Sequence, residues 1–313
     1  MKIVALAGGV GGAKLAHGLA QILKPEELTI IVNTGDDFEH YGLYISPDLD
    51  TVCYTLAGLA NPETGWGRVN ESWNVIENIS KLGGQDWFLL GDQDLGTHLE
   101  RTRRLKGGAT LSQITKDFCK AWEVEHTVLP MSDQPVRTVV ETDEGELAFQ
   151  EYFVHRRCAP RVKGFRFEGA DCAEAVSGAH EALRSADAVI ICPSNPWVSI
   201  DPILKVFSLT PALFQREREM PVIAVSPIIG GETVKGPAAK MYRELGIEPS
   251  AFAVAKHYRG LVTSFVLDTI DAQLIESVRG LNMQTLVTNT LMKSHEDRRQ
   301  LASDVLNFIG DTI

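Results

Sequence analysis

Two hydrophobic periods alternate along this chain. Short apolar runs of strand character lie at 3–7, 28–32 and 87–90. Between them, apolar residues recur every three to four positions: Leu15, Leu19, Ile22 and Leu23; Val69, Trp73, Ile76 and Ile79; Leu111, Ile114, Phe118 and Trp122. Periods near 2 and 3.6 predict strands and amphipathic helices in turn. Further strands are predicted at 127–129, 188–192, 222–225, 251–255 and 286–288, and a last helix carries Leu301, Val305 and Ile309. This alternation predicts an α/β fold, a doubly wound, Rossmann-like and mostly parallel sheet with helices on both faces. Runs at 136–140 and 146–154 flank Asp143-Glu144-Gly145 and predict a β-hairpin. The hairpin is placed in a smaller lobe inserted over 131–170, within a single α/β domain spanning 1–313. No internal repeat or linker interrupts it.

Composition narrows the function. The 313 residues are 44% apolar and 23% charged, which excludes global disorder and a fibrous chain. No apolar run is long enough to span a bilayer. The N-terminus enters a strand without a signal-peptide cleavage pattern, so a cytoplasmic protein without a membrane partner is expected. Lys plus Arg is 30 against 41 Asp plus Glu, a formal charge of -11. That argues against nucleic acid as the main partner. Small phosphorylated ligands stay open, because backbone amides, helix N-termini and a divalent cation hold them without a basic surface. The five cysteines, Cys53, Cys119, Cys158, Cys172 and Cys192, are odd in number and form no CxxC pair. Reduced, mostly buried thiols are expected. Trp66 and Trp197 are open to three readings: core, a homodimer interface, or a wall for a flat ligand ring.

The chemistry concentrates where predicted strands end. Gly8-Gly9-Val10-Gly11-Gly12-Ala13-Lys14 follows the first strand and opens the first helix, the form of an anion cradle. Lys14 breaks a GxGxxG pattern, and Leu15 after the lysine breaks a Walker A pattern. Asn33-Thr34-Gly35-Asp36-Asp37 leaves the second strand, and Glu39, His40, Asp48 and Asp50 follow. Such carboxylates suit a hard cation such as Mg²⁺ or a hydroxyl proton. Ser46-Pro47 reads as an N-cap with Pro at the first helical position. That puts Asp48 and Asp50 in the first turn, makes Asp48 a dipole partner, and leaves His40 to shape the loop. Gly91-Asp92-Gln93-Asp94 forms a second cluster, with Asp94 as a helix cap and His98 and Arg101 one and two turns on. Ser132-Asp133, Ser194-Asn195-Pro196, Ser226-Pro227 with Gly230-Gly231, and Lys235-Gly236-Pro237 mark further polar loops that read alone as turns and together as a ligand site. The residues alone lead to a protein that binds or transforms a phosphorylated small molecule, with Mg²⁺.

In their order, Gly8-Gly-Val-Gly-Gly-Ala-Lys-Leu15, Asn33-Thr-Gly-Asp-Asp37, Ser46-Pro-Asp-Leu-Asp50, Gly91-Asp-Gln-Asp-Leu95 with His98, Ser194-Asn-Pro196 and Ser226-Pro-Ile-Ile-Gly-Gly231 resemble the 2-phospho-L-lactate transferases of deazaflavin coenzyme biosynthesis. The likeness runs from the first predicted strand to Thr288-Asn-Thr290. It implies transfer of a phosphorylated three-carbon acid from a guanosine diphosphate conjugate to the 5′-hydroxyl of FO, a deazaflavin with a ribityl chain. GMP leaves, and coenzyme F(420) without its glutamate tail forms. The acid is lactate, enolpyruvate or glycerate. The resemblance implies Mg²⁺ as cofactor, with Asp50, Asp92 and Asp94 as catalytic residues and Asp50 and Asp92 as metal ligands. Asp50 is placed at FO. Gly9, Gly11, Gly12, Lys14, Asn33, Thr34, Asp36, Asp37 and His98 are substrate-binding candidates. Ser194, Asn195, Ser226, Gly230 and Gly231 join them on the nucleotide side. The competing reading is a non-catalytic regulatory protein of the same fold that binds nucleotide sugars; a dinucleotide-dependent oxidoreductase is disfavoured by Lys14. As a functional residue, Asp50 on replacement by Asn is expected to cut turnover strongly and leave the melting temperature nearly unchanged.

Overall fold

Residues Ile3–Ala7 carry the sequence IVALA, and all of these side chains are buried. A strand buried on both faces reads as a continuous apolar run, the mark of a parallel sheet interior. In the computed structural model, which describes residues 1–207 and 220–310, this strand (β1) lies inside a seven-stranded sheet. The others are β2 (Leu28–Val32), β3 (Thr127–Pro130), β4 (Ala188–Ile191), β5 (Val222–Val225), β6 (Ser264–Asp268) and β7 (Gln284–Thr288). Their order is β7-β6-β5-β4-β1-β2-β3, and every neighbouring pair is parallel. The fold is a doubly wound α/β sheet. The chain winds outward from β1 to β3, then returns to β4 on the other side of β1. That reversal opens a crevice beyond the carboxyl ends of β1 and β4, the place where such sheets bind ligands.

Alternate side chains feed two cores. Val4, Leu6, Ile31, Val189 and Ile191 point into one cluster, and Ile3, Ala5, Ile30, Ala188 and Ile190 into the other. Helix α1 (Gly9–Ala20) covers the second face and packs against α2 (Pro47–Leu56) and the last helix, His295–Gly310. Gly18 permits that crossing: a Cβ there would stand 2.1 Å from the carbonyl oxygen of Arg298. Gly18→Ala is expected to cost about 1–3 kcal/mol, read as a lower denaturant midpoint with substrate affinity intact.

A separate three-stranded antiparallel sheet, Arg137–Thr142 between Gly145–Ala148 and Val162–Glu168, stands between β3 and β4 in sequence. It has a small apolar cluster of its own, including Val140, Phe149, Tyr152 and Val162.

Several sequence expectations are corrected. The run 251–255 is not a strand but the start of helix Ala251–His257, whose first turn is capped by Ser250 Oγ accepting from Ala253 N at 3.1 Å. The strand is Ser264–Asp268. The run 87–90 forms no strand; Trp87 and Phe88 instead gather around Phe38 and His40, with Phe38 and Phe88 rings 4.8 Å apart. The helix expected from Val69 onward covers only α3, Asn74–Lys81. The strand expected over 146–154 ends at Ala148 and gives way to a wide helical turn, Glu151–His155. Cys53 and Cys119 sulfurs lie 3.7 Å apart, and all five thiols are free. No helix among the described residues is long and apolar enough to cross a membrane.

Candidate active site

The crevice at the sheet's reversal is a cavity of about 710 Å³. The loop after β1 and the loop after β4 are fastened to each other at its floor. Gly8 N donates to Ser194 Oγ at 3.2 Å, and that hydroxyl donates back to Gly8 O at 2.8 Å. Gly11 is required here, because a Cβ would meet Pro193 O at 2.2 Å. Gly9 enters α1 at φ +62 and donates its N–H to Asp48 Oδ1 at 2.7 Å. Asp48 therefore caps α1 from α2, across the site, and its expected role as a mere dipole partner of its own helix is superseded. The next amides of α1, those of Val10 and Gly11, have no intrahelical acceptor and belong to residues lining the cavity.

Behind this turn lies a buried acidic floor. Asn33 donates to Asp48 Oδ2 at 2.9 Å and to Val198 O at 3.2 Å, and accepts from Gly35 N at 2.8 Å. Asp36 accepts from Gln150 Nε2 at 3.1 Å. Asp36 and Asp48 line the cavity; Gly12, Asn33, Thr34 and Asp37 support it from behind. Ser46 sits at the N-cap of α2 as expected, but its hydroxyl donates to Asp37 Oδ2 at 2.9 Å instead of capping. Burial is the main cause that raises Asp48 to about 6 and Asp37 to about 7, and it raises Asp36 well above the usual range, helped by the Asp48 and Asp37 charges. A carboxyl raised in the folded state holds its proton after the unfolded chain has ionised. It therefore removes stability as pH rises from about 4 to 6. Asp48→Asn is expected to lose that slope: relative to wild type, the variant gains roughly 2–3 kcal/mol over this window. Urea titrations of both proteins at pH 4 and 7, without divalent cations, measure it.

A second group stands on α2 and α4 (Asp92–Lys106). Arg101, with 2% of its side chain exposed, grips Asp50 with both terminal nitrogens, NH1 to Oδ2 at 3.0 Å and NH2 to Oδ1. Burial works against the Arg101 charge, and Asp50 more than restores it. His98 lies between Asp50 and Asp94, and Tyr54 donates to Asp94 Oδ1 at 2.6 Å. Burial, with Asp50 and Asp94 nearby, keeps the Tyr54 phenol protonated. Asp94 does not cap α4, as expected from sequence. Glu71 does so from another segment, accepting from Gln93 N at 2.7 Å and Asp94 N at 3.1 Å.

Asp92 is also corrected. It does not line the cavity; its carboxylate accepts from Ser72 Oγ at 2.8 Å, Asn74 Nδ2 at 2.8 Å and Val75 N at 3.0 Å, fastening the start of α3. Those bonds, Val75 first, hold its pKa down at about 2. The ligand atoms that cluster are those of Asp50, Asp94 and His98, within 4.8 Å of one another, in place of an Asp50–Asp92 pair.

The remaining walls are of two kinds. Lys14 donates to Met292 O at 2.8 Å, and Lys235 to Thr64 O at 2.6 Å; both line the cavity. Burial, with the charges of Arg298 and Lys235, lowers Lys14 from the ordinary lysine value. Ser194, Asn195 and Ser226 also line it. Gly230 and Gly231 do not: at φ +58 and +82 they turn the hairpin Ile228–Ile229 to Glu232–Thr233. Trp66, Trp87, Phe88, Phe149 and Phe153 line the cavity as well, with Trp66 following Gly65 and Thr64 beside Val10 and Lys235. Trp197 packs on Tyr242, with ring centroids 4.0 Å apart, away from the cavity.

Residues 3–307 match the family model for 2-phospho-L-lactate transferase CofD. The chain belongs to the 2-phospho-L-lactate transferase family. It is 41% identical over 312 residues to a phosphoenolpyruvate transferase of Streptomyces griseus subsp. griseus, with 98% of each chain covered. It is 38% identical over 315 residues to a 2-phospho-L-lactate transferase of Methanopyrus kandleri, covering 100% of this chain and 99% of that one. A solved structure from Bacillus halodurans, a member of the UPF0052 family, shares the fold: TM-score 0.63 at 15% identity, covering 97% of this chain and 98% of the other. The chain is thus an enzyme, a transferase of coenzyme F(420) biosynthesis.

This transferase offers two donor sets for a cation. In the first, Asp50 is already neutralised by Arg101. In the second, Asp36 and Asp48 are buried with no ion pair among the described residues, and both donors are oxygen. The second fits a hard cation. Sequence reasoning missed Trp87, Phe88, Phe149, Phe153, Tyr54 and Glu71, and had Arg101 converge with Asp94 and His98 on a ligand without pairing it to Asp50. An Arg three residues after His98, on the same helix face, was the signal for Arg101. The aromatic residues have none, because Trp87 and Phe88 read equally as core.

Proposed function

We propose that this transferase moves a phosphorylated three-carbon acid from a guanosine diphosphate conjugate to the 5′-hydroxyl of FO. GMP leaves, and coenzyme F(420) without its glutamate tail forms. The observation that supports this reading is one cavity lined both by the glycine turn with Lys14 and Lys235 and by aromatic rings. The turn, with the amides of Val10 and Gly11 and the ammonium groups of Lys14 and Lys235, suits a diphosphate. Trp66, Trp87, Phe88 and Phe149 suit a flat deazaflavin.

Asp50, held by Arg101, orients the acceptor hydroxyl. The hydroxyl oxygen forms a bond to the β-phosphorus as the bond to the bridging oxygen breaks. The oxygen and its electron pair leave with GMP, and the hydroxyl proton passes to a cavity carboxylate or to water. Little covalent chemistry falls to the protein; positioning and charge neutralisation do most of it. Asp36 and Asp48 are the residues for Mg²⁺, which when bound neutralises charge on the diphosphate. An acidic floor facing two ammonium groups needs that neutralisation.

Enolpyruvate is the expected acid, since phosphoenolpyruvate transferases match at 39–42% identity and two 2-phospho-L-lactate transferases at 38% and 37%. The test is mass spectrometry of the protein with FO, Mg²⁺ and each of three conjugates, carrying enolpyruvate, lactate or glycerate. GMP release and a phosphodiester of FO are expected, fastest with enolpyruvate. Nucleotide binding without turnover of any conjugate overturns the reading in favour of a regulatory binding protein.

A further inference from the structure

The buried guanidinium of Arg101 decides which nitrogen of His98 carries a proton. Arg101 Nη1 lies 3.2 Å from His98 Nδ1, 3.0 Å from Asp50 Oδ2 and 3.5 Å from Tyr44 O. A guanidinium has only donors and stays charged. Nδ1 must therefore offer its lone pair, and the proton of the neutral ring sits on Nε2. His98 lines the cavity and is 1% exposed, yet Nε2 is buried without a hydrogen-bond partner. Its nearest carboxylate oxygen, Asp94 Oδ1, is 3.5 Å away, too far for a well-formed hydrogen bond, and takes a short one from Tyr54 instead. A buried N–H without an acceptor is a donor waiting for a ligand atom.

We propose that Arg101 is a positioning residue that locks His98 as the Nε2–H tautomer, so that His98 donates a hydrogen bond to a hydroxyl oxygen of the acceptor substrate. The Asp94 carboxylate stands beside that N–H, with Asp50 on the Nδ1 side of the ring, and their charge repels a phosphate oxygen, which leaves a neutral hydroxyl as the fitting group. His98 is then neither the general base nor a metal ligand. Ligation through Nε2 requires the proton on Nδ1, where the guanidinium points its own hydrogen. The identity of the hydroxyl rests on the transferase reading; the tautomer does not.

Long-range ¹H–¹⁵N spectra of the ¹⁵N-histidine-labelled full chain test the tautomer, with His98 assigned by the signal lost in His98→Gln. A protonated Nε2 and an unprotonated Nδ1 are expected. A Nδ1–H or doubly protonated ring overturns the proposal. In Arg101→Lys, which keeps charge but not the fork, the His98 signals are expected to move toward exchange between tautomers. The double variant Asp50→Asn, Arg101→Met, which removes the buried pair together, gives the same reading if the single variant does not fold. An unchanged His98 signal overturns the role of Arg101. For the donor role, glutamine places an N–H near the Nε2 position and leucine does not. His98→Leu is expected to lose about 10- to 100-fold in kcat/KM, the cost of leaving the acceptor hydroxyl without a donor, through a raised KM for the acceptor alcohol and not for the guanosine diphosphate conjugate. His98→Gln is expected to stay within about tenfold of wild type, a margin set by the energy of one neutral hydrogen bond. Equal losses in the two variants overturn the donor role. Wild type showing the expected tautomer but no turnover fails the transferase reading and the hydroxyl assignment together, and leaves the tautomer standing.

Discussion

Asp50→Asn loses turnover and stability together. The asparagine turns an NH₂ group toward a guanidinium that is itself all donors, and Arg101 is left buried without an anion. Breaking a buried pair by removing one partner costs about 3–5 kcal/mol, and for a chain of this size that lowers the melting temperature by roughly 10 °C. Turnover is expected to fall by at least about 100-fold, because a fixed charge at the acceptor is lost. Circular dichroism melts and GMP release measure the two. The double variant Asp50→Asn, Arg101→Met is expected to recover much of the stability and none of the turnover. An unchanged melting temperature in Asp50→Asn contradicts the buried pair. The opposite expectation, turnover lost with stability kept, follows only if Asp50 sits in an exposed first turn.

Removing divalent cations abolishes turnover. The cavity presents Asp36, Asp48, Asp50 and Asp94 to a diphosphate, with Lys14 and Lys235 as the ammonium groups on its wall. Excess chelator is expected to reduce GMP release to background, and Mg²⁺ to restore it. Mg²⁺ alone is expected to stabilise the protein, by about 2.7 kcal/mol at 100 times its dissociation constant. The increment shrinks from pH 8 to pH 5, because Asp48, raised to about 6, must give up its proton to bind the cation. The double variant Asp36→Asn, Asp48→Asn is expected to lose the increment. Full turnover in chelator, or an unaltered Mg²⁺ response in that variant, places the cation elsewhere or removes it from the reaction.

Chain order alone reached the parallel sheet, since strands buried on both faces need uninterrupted apolar runs and the helices between them need a 3.6 period. It failed where a run was short. The AFAVA segment at 251–255 has strand composition, and the Ser250 hydroxyl that starts a helix there is a local capping bond that composition does not weigh. The Gly8–Lys14 turn and the acidic loop were legible because each sits directly after a strand, where the backbone must turn and ligands gather. Asp48, Asp92 and Asp94 were not. Each lies near a helix start, and first-turn acids look alike along the chain. Asp48 caps α1, Asp92 holds the start of α3, and Asp94 accepts from Tyr54 on another helix.

The sequence by itself determined the α/β layering, the glycine turn and the acidic clusters near it, because each rests on residues adjacent in the chain. Only the tertiary structure decided which carboxylates line the cavity, that Arg101 neutralises Asp50, and that aromatic residues from 66, 87–88 and 149–153 line the same cavity. Those outcomes depend on contacts between segments tens of residues apart. Burial then sets the charge of each group, and burial is a property of the packed chain and not of any stretch of it.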